Sequence, residues 1–487
     1  MFTSTSTFFT TLLLLSCIIP RGLGAVAKTP GRINKCRVKR QGGQVLEVPP
    51  NSTAQETSPA SGTPIPSSTQ VVGQLPTNTS LPIPTQGTFD GLTLPPFDYA
   101  NQKVRGVNLG GWFMMEPWIT PSMFDNTGND AIVDEYTFGQ YQDRGIALDA
   151  LHSHWATWYT EQDFIEMQNY GLNHARLPIS YWSVPIAQDV GPYVPGAWPY
   201  ILKALEWANN HGIHIILDLH GAPGSQNGFD NSGQRTDTPI WGIDPGSVEH
   251  TLQVLEAIAR ETGNKVSIIQ LLNEVAGFRG QQWADTAKGF WQAGYDRVRA
   301  AAGDNVKVMI GDAFLGLHNW GGYMKASQGV MMDLHVYQIF SFGELERSWD
   351  NHITFMCNRK AEFTEYTYNN LWLVMGEWSN AVTDCARYLN GRGVGSRWDN
   401  TWLMPREAGA LGSCQGWTGS ASTFSQEYKN FMRKYWEAQV TVAELAAGWV
   451  YWTWKAENAD DWSYKAGVEN GYIPRDPSER MYPGLCG

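Results

Sequence analysis

The chain has 487 residues, 42% hydrophobic and 13% aromatic, enough for one large barrel or two to three ordinary domains. Its 35 basic against 47 acidic side chains give a formal charge of −12, which argues against nucleic acid as a partner. The 22 tryptophans point weakly to carbohydrate, because sugar rings pack on flat aromatic faces; the bland alternative is an aromatic-rich core.

In chain order, residues 1–27 read as a secretory signal. The apolar run from Leu12 to Ile19 is too short to span a bilayer, and Ala25-Val26-Ala27 fits a small-residue cleavage site. A basic segment ahead of the run is missing, and a signal anchor is the alternative. Lys39-Arg40 is a candidate processing site that would release residues 28–40 as a pro-segment; an ordinary basic pair is the equal alternative. Residues 41–96 hold 10 of the 26 prolines, mixed with Ser and Thr, and read as a disordered, O-glycosylated tail. The sequons at Asn51 and Asn78 fall inside it and are expected to carry N-glycans. No later stretch has the length and apolarity of a membrane span, so the mature chain is expected to have none.

Residues 97–487 alternate short buried strand-like runs with helical periodicity. The runs are 104–108, 174–178, 214–219, 267–273, 306–310, 330–335, 372–376 and 449–453. Between the first two, Thr160 and Asp163 have capping-box spacing, Phe164 and Met167 lie one turn apart, and Gly171 stops the pattern. Val248, Leu252, Leu255 and Ile258 share one helix face that ends at Gly263. Eight strands alternating with helices predict an α/β fold, a (β/α)8 TIM barrel. The region exceeds the ~250 residues typical of that fold. The excess sits mainly in 109–154 and 379–447, where long loops after strands would shape a pocket.

Six of the eight runs end on polar or aromatic groups: Arg176, Asp218-Leu219-His220, Asn273-Glu274, Asp333-Leu334-His335 with Tyr337, Glu377-Trp378, and Trp452. A carboxylate at the tip of a buried strand is costly without a purpose. Active sites of barrels lie at the strand C-termini, and strands four and seven are far apart around the ring. Glu274 and Glu377 can therefore act as the two carboxyls of a glycosidase, one giving a proton to the leaving oxygen and one facing the anomeric carbon. Arg176 is a natural partner for such a carboxylate. The competing reading is a metal-dependent barrel hydrolase with Asp218, His220, Glu274 and His335 as ligands. Against it, no strand carries His-x-His; His152-Ser153-His154 has the spacing but lies outside any strand. Cys17 lies in the signal and Cys36 in the pro-segment. Cys357, Cys385, Cys414 and Cys486 remain, and an even number predicts two disulfides with three possible connectivities.

Asn273-Glu274, Gly376-Glu377-Trp378 and Arg176-Leu177-Pro178 resemble glycoside hydrolase family 5. Four longer runs narrow the resemblance to its fungal exo-β-1,3-glucanases. They are Gly106-Val107-Asn108-Leu109-Gly110-Gly111-Trp112, Glu116-Pro117-Trp118-Ile119-Thr120-Pro121-Ser122, DLHGAPGSQNG at 218–228 and GWVYWTWK at 448–455. The resemblance covers 97–487 and not 1–96. It implies a secreted retaining enzyme that releases glucose from the non-reducing end of β-1,3-glucan, with Glu377 as nucleophile and Glu274 as acid/base. Glu377 would be kept ionised by Arg176, and Glu274 would be pushed upward by burial and by its neighbour's charge. His335 and Tyr337 would hold Glu377, and Asn273 would bond the sugar 2-OH. Glu116, His220, Asp230 and Trp452 would line the first glucose subsite, with Phe229 and Phe340 clamping the next glucose. Cys357 would pair with Cys486, and Cys385 with Cys414. No cofactor or metal is implied, the expected partner is β-glucan, and the expected state is a monomer. The tail departs from the family pattern; tethering at a cell wall is one reading of it. Phe113, Met114 and Met115 differ from the family's usual apolar residues with no expected functional change. Transglycosylation, β-1,6-glucanase activity and a non-catalytic glucan-binding role are the remaining alternatives. The last would be marked by a missing carboxyl or a missing Arg176, and all three are present.

Overall fold

The eight apolar runs form eight strands that pair in sequence order, all parallel, and the eighth pairs with the first to close a barrel. They are β1 Val104–Asn108, β2 His174–Ser180, β3 His214–Gly221, β4 Ile268–Gln270, β5 Lys307–Gly311, β6 Val330–His335, β7 Trp372–Glu377 and β8 Gly448–Tyr451. The computed structural model describes residues 83–84, 89–187 and 190–487. The expected signal, pro-segment and most of the tail, with Asn51 and Asn78, lie outside the described residues. Among the described residues no helix is long and apolar enough to cross a membrane.

Side chains alternate across each strand, so every second residue faces the barrel interior. At the N-terminal end Val104, Ile216, Ile268, Met309, Met331, Val374 and Val450 form one buried apolar cluster. Tyr99 adjoins it, its hydroxyl 3.2 Å from Nε2 of His174, whose ring stacks on His214. Two residues further along β3, β4 and β6 the same face carries Asp218, Gln270 and Asp333, all buried. The interior thus passes from apolar to ionisable in one step along the strands. Gly376 on β7 makes room for this layer, since a Cβ there would overlap Oδ1 of Asp333.

α-Helices follow most strands, on the outside. The helix Glu161–Asn169 is capped as its spacing predicts: the Thr160 N–H donates to Asp163 Oδ2 at 2.8 Å, and Phe164 and Met167 are buried. The helix Pro245–Thr262 buries Leu252, Leu255 and Ile258, and the Asp244 side chain caps its start. Its last turn differs from the expected glycine cap. Gly263 has φ −59°, ordinary for any residue, and its role is close approach, because a Cβ would collide with Ala302. Three further differences concern the strands. The fourth run leaves the ladder at Gln270, three residues short of Asn273, and the eighth ends at Tyr451. Between β5 and β6 the connection holds only the 3-10 turns Leu317–Trp320 and Ala326–Gln328.

The two long insertions meet. Arg387 pairs with Asp125 at 2.7 Å, and buried Arg392 donates to the carbonyls of Asn129 and Ile132. The disulfide Cys385–Cys414 lies within the second insertion, and Cys357–Cys486 ties the helix Trp349–Cys357 to the C-terminal residues. Both match the pairing the resemblance implies. The tryptophans are mostly core: Trp112, Trp182, Trp241, Trp291, Trp320, Trp378, Trp436, Trp449, Trp454 and Trp462 are fully buried. Their number reflects packing between barrel and helices and carries little information about sugars.

Candidate active site

At the C-terminal end of the barrel a single buried guanidinium organises the polar layer. Arg176 on β2 donates from Nε to Gln270 Oε1 at 2.7 Å and from Nη2 to Asn273 Oδ1 at 2.7 Å. Its Nη1 serves both Asn108 Oδ1 at 3.0 Å and Glu377 Oε1 at 2.8 Å. Asp218 lies 3.1 Å and Asp333 3.9 Å from Nη2. Burial opposes its charge, but Asp218, Glu377 and Asp333 more than offset that. A planar fork with five donors and no acceptor is the side chain that can meet so many oxygens in fixed directions.

Glu377 ends β7. Its Oε1 accepts from Arg176, its Oε2 accepts from the Tyr337 hydroxyl at 3.0 Å, and His335 Nδ1 lies 3.4 Å from Oε2. Glu274 stands beyond β4 with φ +45°, a left-handed conformation that non-glycine residues rarely adopt. That turn aims its carboxyl back over the barrel. Its Oε2 accepts from Asn231 Nδ2 at 2.9 Å, and its Oε1 is 2.9 Å from His335 Nδ1. One oxygen of each glutamate and a nitrogen of His335 all lie within 4.8 Å of one another. Two residues 103 positions apart are thereby brought over one small volume.

The electrostatics of the free site run opposite to the expected order. Burial pushes both carboxyls up. For Glu274 the bond and charge of His335 and the Asn231 donor outweigh burial, and its pKa falls below the usual glutamate value. For Glu377 burial outweighs His335 and Arg176, with Glu274 adding to it, and its pKa is raised. The difference is one of donors: His335 sits 2.9 Å from Glu274 but 3.4 Å from Glu377, and Asn231 serves Glu274 alone. Glu377, Asp333 and Glu274 hold the His335 ring charged, well above the usual histidine range despite burial.

The other expected residues gather around this pair. Asn273 donates from Nδ2 to His220 Nε2 at 3.2 Å, and His220 Nδ1 is 2.6 Å from Asp218 Oδ2. The Trp452 ring stacks on His220 at 5.7 Å. Glu116 is buried, accepts from Trp118 Nε1 at 2.9 Å on one oxygen, and has no partner on the other. Asp230 likewise keeps one buried oxygen without a partner. Burial first, then the charge of Asp230, raises Glu116 well above its usual range, and burial pushes Asp230 up to about 7. Phe229 and Phe340 are exposed. Phe340 meets Tyr337 edge-on at 5.4 Å, and Phe229 meets Phe314 edge-on at 6.5 Å.

Four contributors were not singled out from the sequence with a role: Asn108, Asn231, Gln270 and Asp333. Asp333 and Gln270 stand on buried strands, where a polar residue facing inward is itself a signal. Asn231 sits in the loop after β3 and leaves no local sign.

The expected metal set does not assemble. Among the described residues the one cluster of donor atoms within 4.8 Å is Glu274, His335 and Glu377, without Asp218 or His220. Even there the positive charge of Arg176 already stands 2.8 Å from Oε1 of Glu377.

The barrel is closed and parallel, with two glutamates converging at the ends of β4 and β7; residues 139–458 match Cellulase (glycosyl hydrolase family 5), to which the chain belongs, and it is thus a glycosidase. Among curated proteins it is 40% identical over 399 residues to the glucan 1,3-beta-glucosidase of Blumeria graminis, covering 80% of this chain and 91% of that one. It is 42% identical to the glucan 1,3-beta-glucosidase of Schwanniomyces occidentalis, covering 80% and 92%. Among solved structures, rutinosidase from Aspergillus niger shares the fold, with a TM-score of 0.61 at 18% identity over 78% of this chain and 99% of that one.

Proposed function

We propose that the protein is a retaining exo-β-1,3-glucanase that releases glucose from the non-reducing end of β-1,3-glucan. The observation that carries the mechanism is the approach of Glu274 and Glu377 to within 4.8 Å. Retaining glycosidases hold their carboxyls ~5–5.5 Å apart, whereas inverting ones leave ~6.5–9.5 Å for a water. The substrate follows from the named relatives.

In the first step an oxygen of Glu377 attacks the anomeric carbon, the glycosidic C–O bond breaks, and the leaving oxygen takes the proton of Glu274. In the second, water gives a proton to Glu274 as its oxygen attacks the same carbon, and the bond to Glu377 breaks. Each turnover ends with the proton on Glu274 and Glu377 ionised, which is the form the next first step uses. Arg176 and Tyr337 hold the two oxygens of Glu377, which fixes its direction of attack. Asn273, held by Arg176 and His220, is placed to bond the sugar 2-OH, a contact that strengthens in the transition state. The unpartnered oxygens of Glu116 and Asp230 suit hydroxyls of a terminal glucose, with His220 and Trp452 beside it. Phe229 and Phe340 would face the next glucose.

Residues 97–487 form the catalytic domain in this reading. A signal at 1–27, a pro-segment at 28–40 and a glycosylated tail at 41–96 would precede it. Two disulfides suit an oxidising, extracellular setting. The test is product analysis on laminarin by 1H NMR. Early release of β-glucose alone is expected. Initial α-glucose would overturn retention, mixed oligosaccharides would overturn exo action, and faster turnover of a β-1,6-glucan would overturn the linkage. Predominant longer glucans would make transfer, not hydrolysis, the main reaction.

A further inference from the structure

The motif Asp-Leu-His occurs at the ends of both β3 and β6, and in both places the Asp and the His, two residues apart, face the same interior. His220 Nδ1 is 2.6 Å from Asp218 Oδ2, and His335 Nε2 is 3.0 Å from Asp333 Oδ2. The first ring nitrogen of each therefore donates to an aspartate. The second nitrogens differ. That of His220 faces Asn273 Nδ2 at 3.2 Å. The Asn273 amide cannot be turned round, because its Oδ1 takes a bond from Arg176, which has only donors to offer. Nε2 of His220 is then placed to accept from that amide. The second nitrogen of His335 instead faces carboxylate oxygens, Glu274 at 2.9 Å and Glu377 at 3.4 Å. With both glutamates ionised a lone pair there would point at other lone pairs, so in that form this nitrogen also carries a hydrogen. One motif thus sets two rings in different surroundings, an amide donor beyond His220 and carboxyl oxygens beyond His335.

We propose that Asp333 is a positioning residue of the reaction, acting through His335: it keeps that ring doubly protonated, with its Nδ1–H shared between Glu274 and Glu377. Asp333 Oδ2 is itself fixed by Gln270 Nε2 at 2.7 Å, and Gln270 by Arg176. The ring is thereby locked in place through the same guanidinium that holds Glu377. The groups facing His335 are Asp333 on its own strand, Glu274 after β4, Asp312 after β5, Glu377 and, behind it, Arg176, with Tyr337 two residues on. The excess is acidic, which is what a buried imidazolium needs. Asp333 donates nothing to substrate in this scheme. The inference rests on the proposed roles of Glu274 and Glu377, but its main readout is independent of substrate.

The test is 15N NMR of the full chain labelled at histidine, with His335 assigned by the signals lost in His335→Gln. At pH 7 two protonated ring nitrogens are expected for His335 and one for His220. A singly protonated His335 in the wild type would overturn the proposal, whatever the kinetics. In Asp333→Asn, folded by its circular dichroism and melting curve, His335 should lose one ring proton at pH 7. Its kcat should fall on the order of tenfold or more, less than the ~10⁴ lost when an aspartate orienting a general-base histidine is replaced, because His335 does not itself abstract a proton. The alkaline limb of kcat should move to lower pH, since the ring without its aspartate keeps its charge only in more acid solution. A folded Asp333→Asn with wild-type kcat and pH profile would refute the role. If it does not fold, the wild-type spectrum alone decides. Loss of laminarin hydrolysis in the wild type would instead count against the glucanase assignment and leave the spectrum to judge His335.

Discussion

Asn231→Ala tests the ordering of the two carboxyls directly. Asn231 Nδ2 donates to Glu274 Oε2 at 2.9 Å, and His335 occupies Oε1, so both oxygens of Glu274 face donors. That arrangement favours the carboxylate, and Glu274 lies below the usual glutamate value although burial acts the other way. A hydrogen bond to a charged group is worth about 1.5–3 kcal/mol. Removing this one raises the pKa of Glu274, so the proton needed by the first step is kept to higher pH. In a bell-shaped profile of kcat/KM the two limbs belong to the pair as a whole. With Glu274 low and Glu377 high in the free site, the acid limb follows Glu274 and the alkaline limb follows Glu377. The acid limb should move to higher pH by about ten- to a hundredfold in proton concentration, at about 1.4 kcal/mol for each factor of ten, and the alkaline limb should move little. The assay is kcat/KM on a short β-1,3-gluco-oligosaccharide from pH 3 to pH 9. The second half-reaction should slow near neutrality, because Glu274 then starts less often as a free base. An acid limb that stays in place, or moves to lower pH, would refute the reading that Asn231 holds Glu274 in its ionised form.

Glu377→Ala removes the covalent route and should cost at least ~10³ in kcat with the fold intact; a smaller loss would mean another group attacks the anomeric carbon. Incubation with a chelator should leave kcat unchanged, and strong inhibition reversed by a divalent ion would restore the metal reading. Cys357→Ser with Cys486→Ser opens a loop of 129 residues, and the chain-entropy relation puts the loss near ~5 kcal/mol, against ~3.6 kcal/mol for the 29-residue separation of Cys385 and Cys414. Denaturant unfolding should therefore rank the first pair as the costlier; the reverse order would show that closure of the long loop is not what stabilises the fold.

The barrel was legible because strands of a parallel sheet are buried on both faces, so they stand out as continuous Val, Ile, Leu and Met runs. Seven of the eight were traceable to within about two residues at each end. The fourth was not, because Leu271 and Leu272 are as apolar as the strand before them. The regular strand stops at Gln270, Leu271 and Asn273 still donate to β5 and β3, and the left-handed turn comes at Glu274; hydrophobicity carries no trace of that change. The carboxyl pair was visible as two glutamates at strand ends. Their proton order was not, since it depends on a half-ångström difference in reach from His335 and on Asn231, which arrives from a loop 43 positions away. The repeated Asp-Leu-His was also visible, but the sequence does not show what each histidine meets on its far side.

The structure shows why a charge network suits this site. Around one buried layer stand Arg176 and His335 against Asp218, Asp333, Glu274 and Glu377. With His335 doubly protonated and one proton on the glutamate pair, three negative charges face two positive ones. The layer is left with a single negative charge, which no fixed cation cancels. An oxocarbenium-like transition state brings a positive charge to that spot, in a site where little water can screen it. A resident divalent ion would reverse that balance. Loss of Asp333 would take the His335 proton with it and leave that balance unchanged, so Asp218 sets how much negative charge remains for the sugar, and a variant that neutralises Asp218 should slow bond breaking more than it weakens binding of the uncharged ground state.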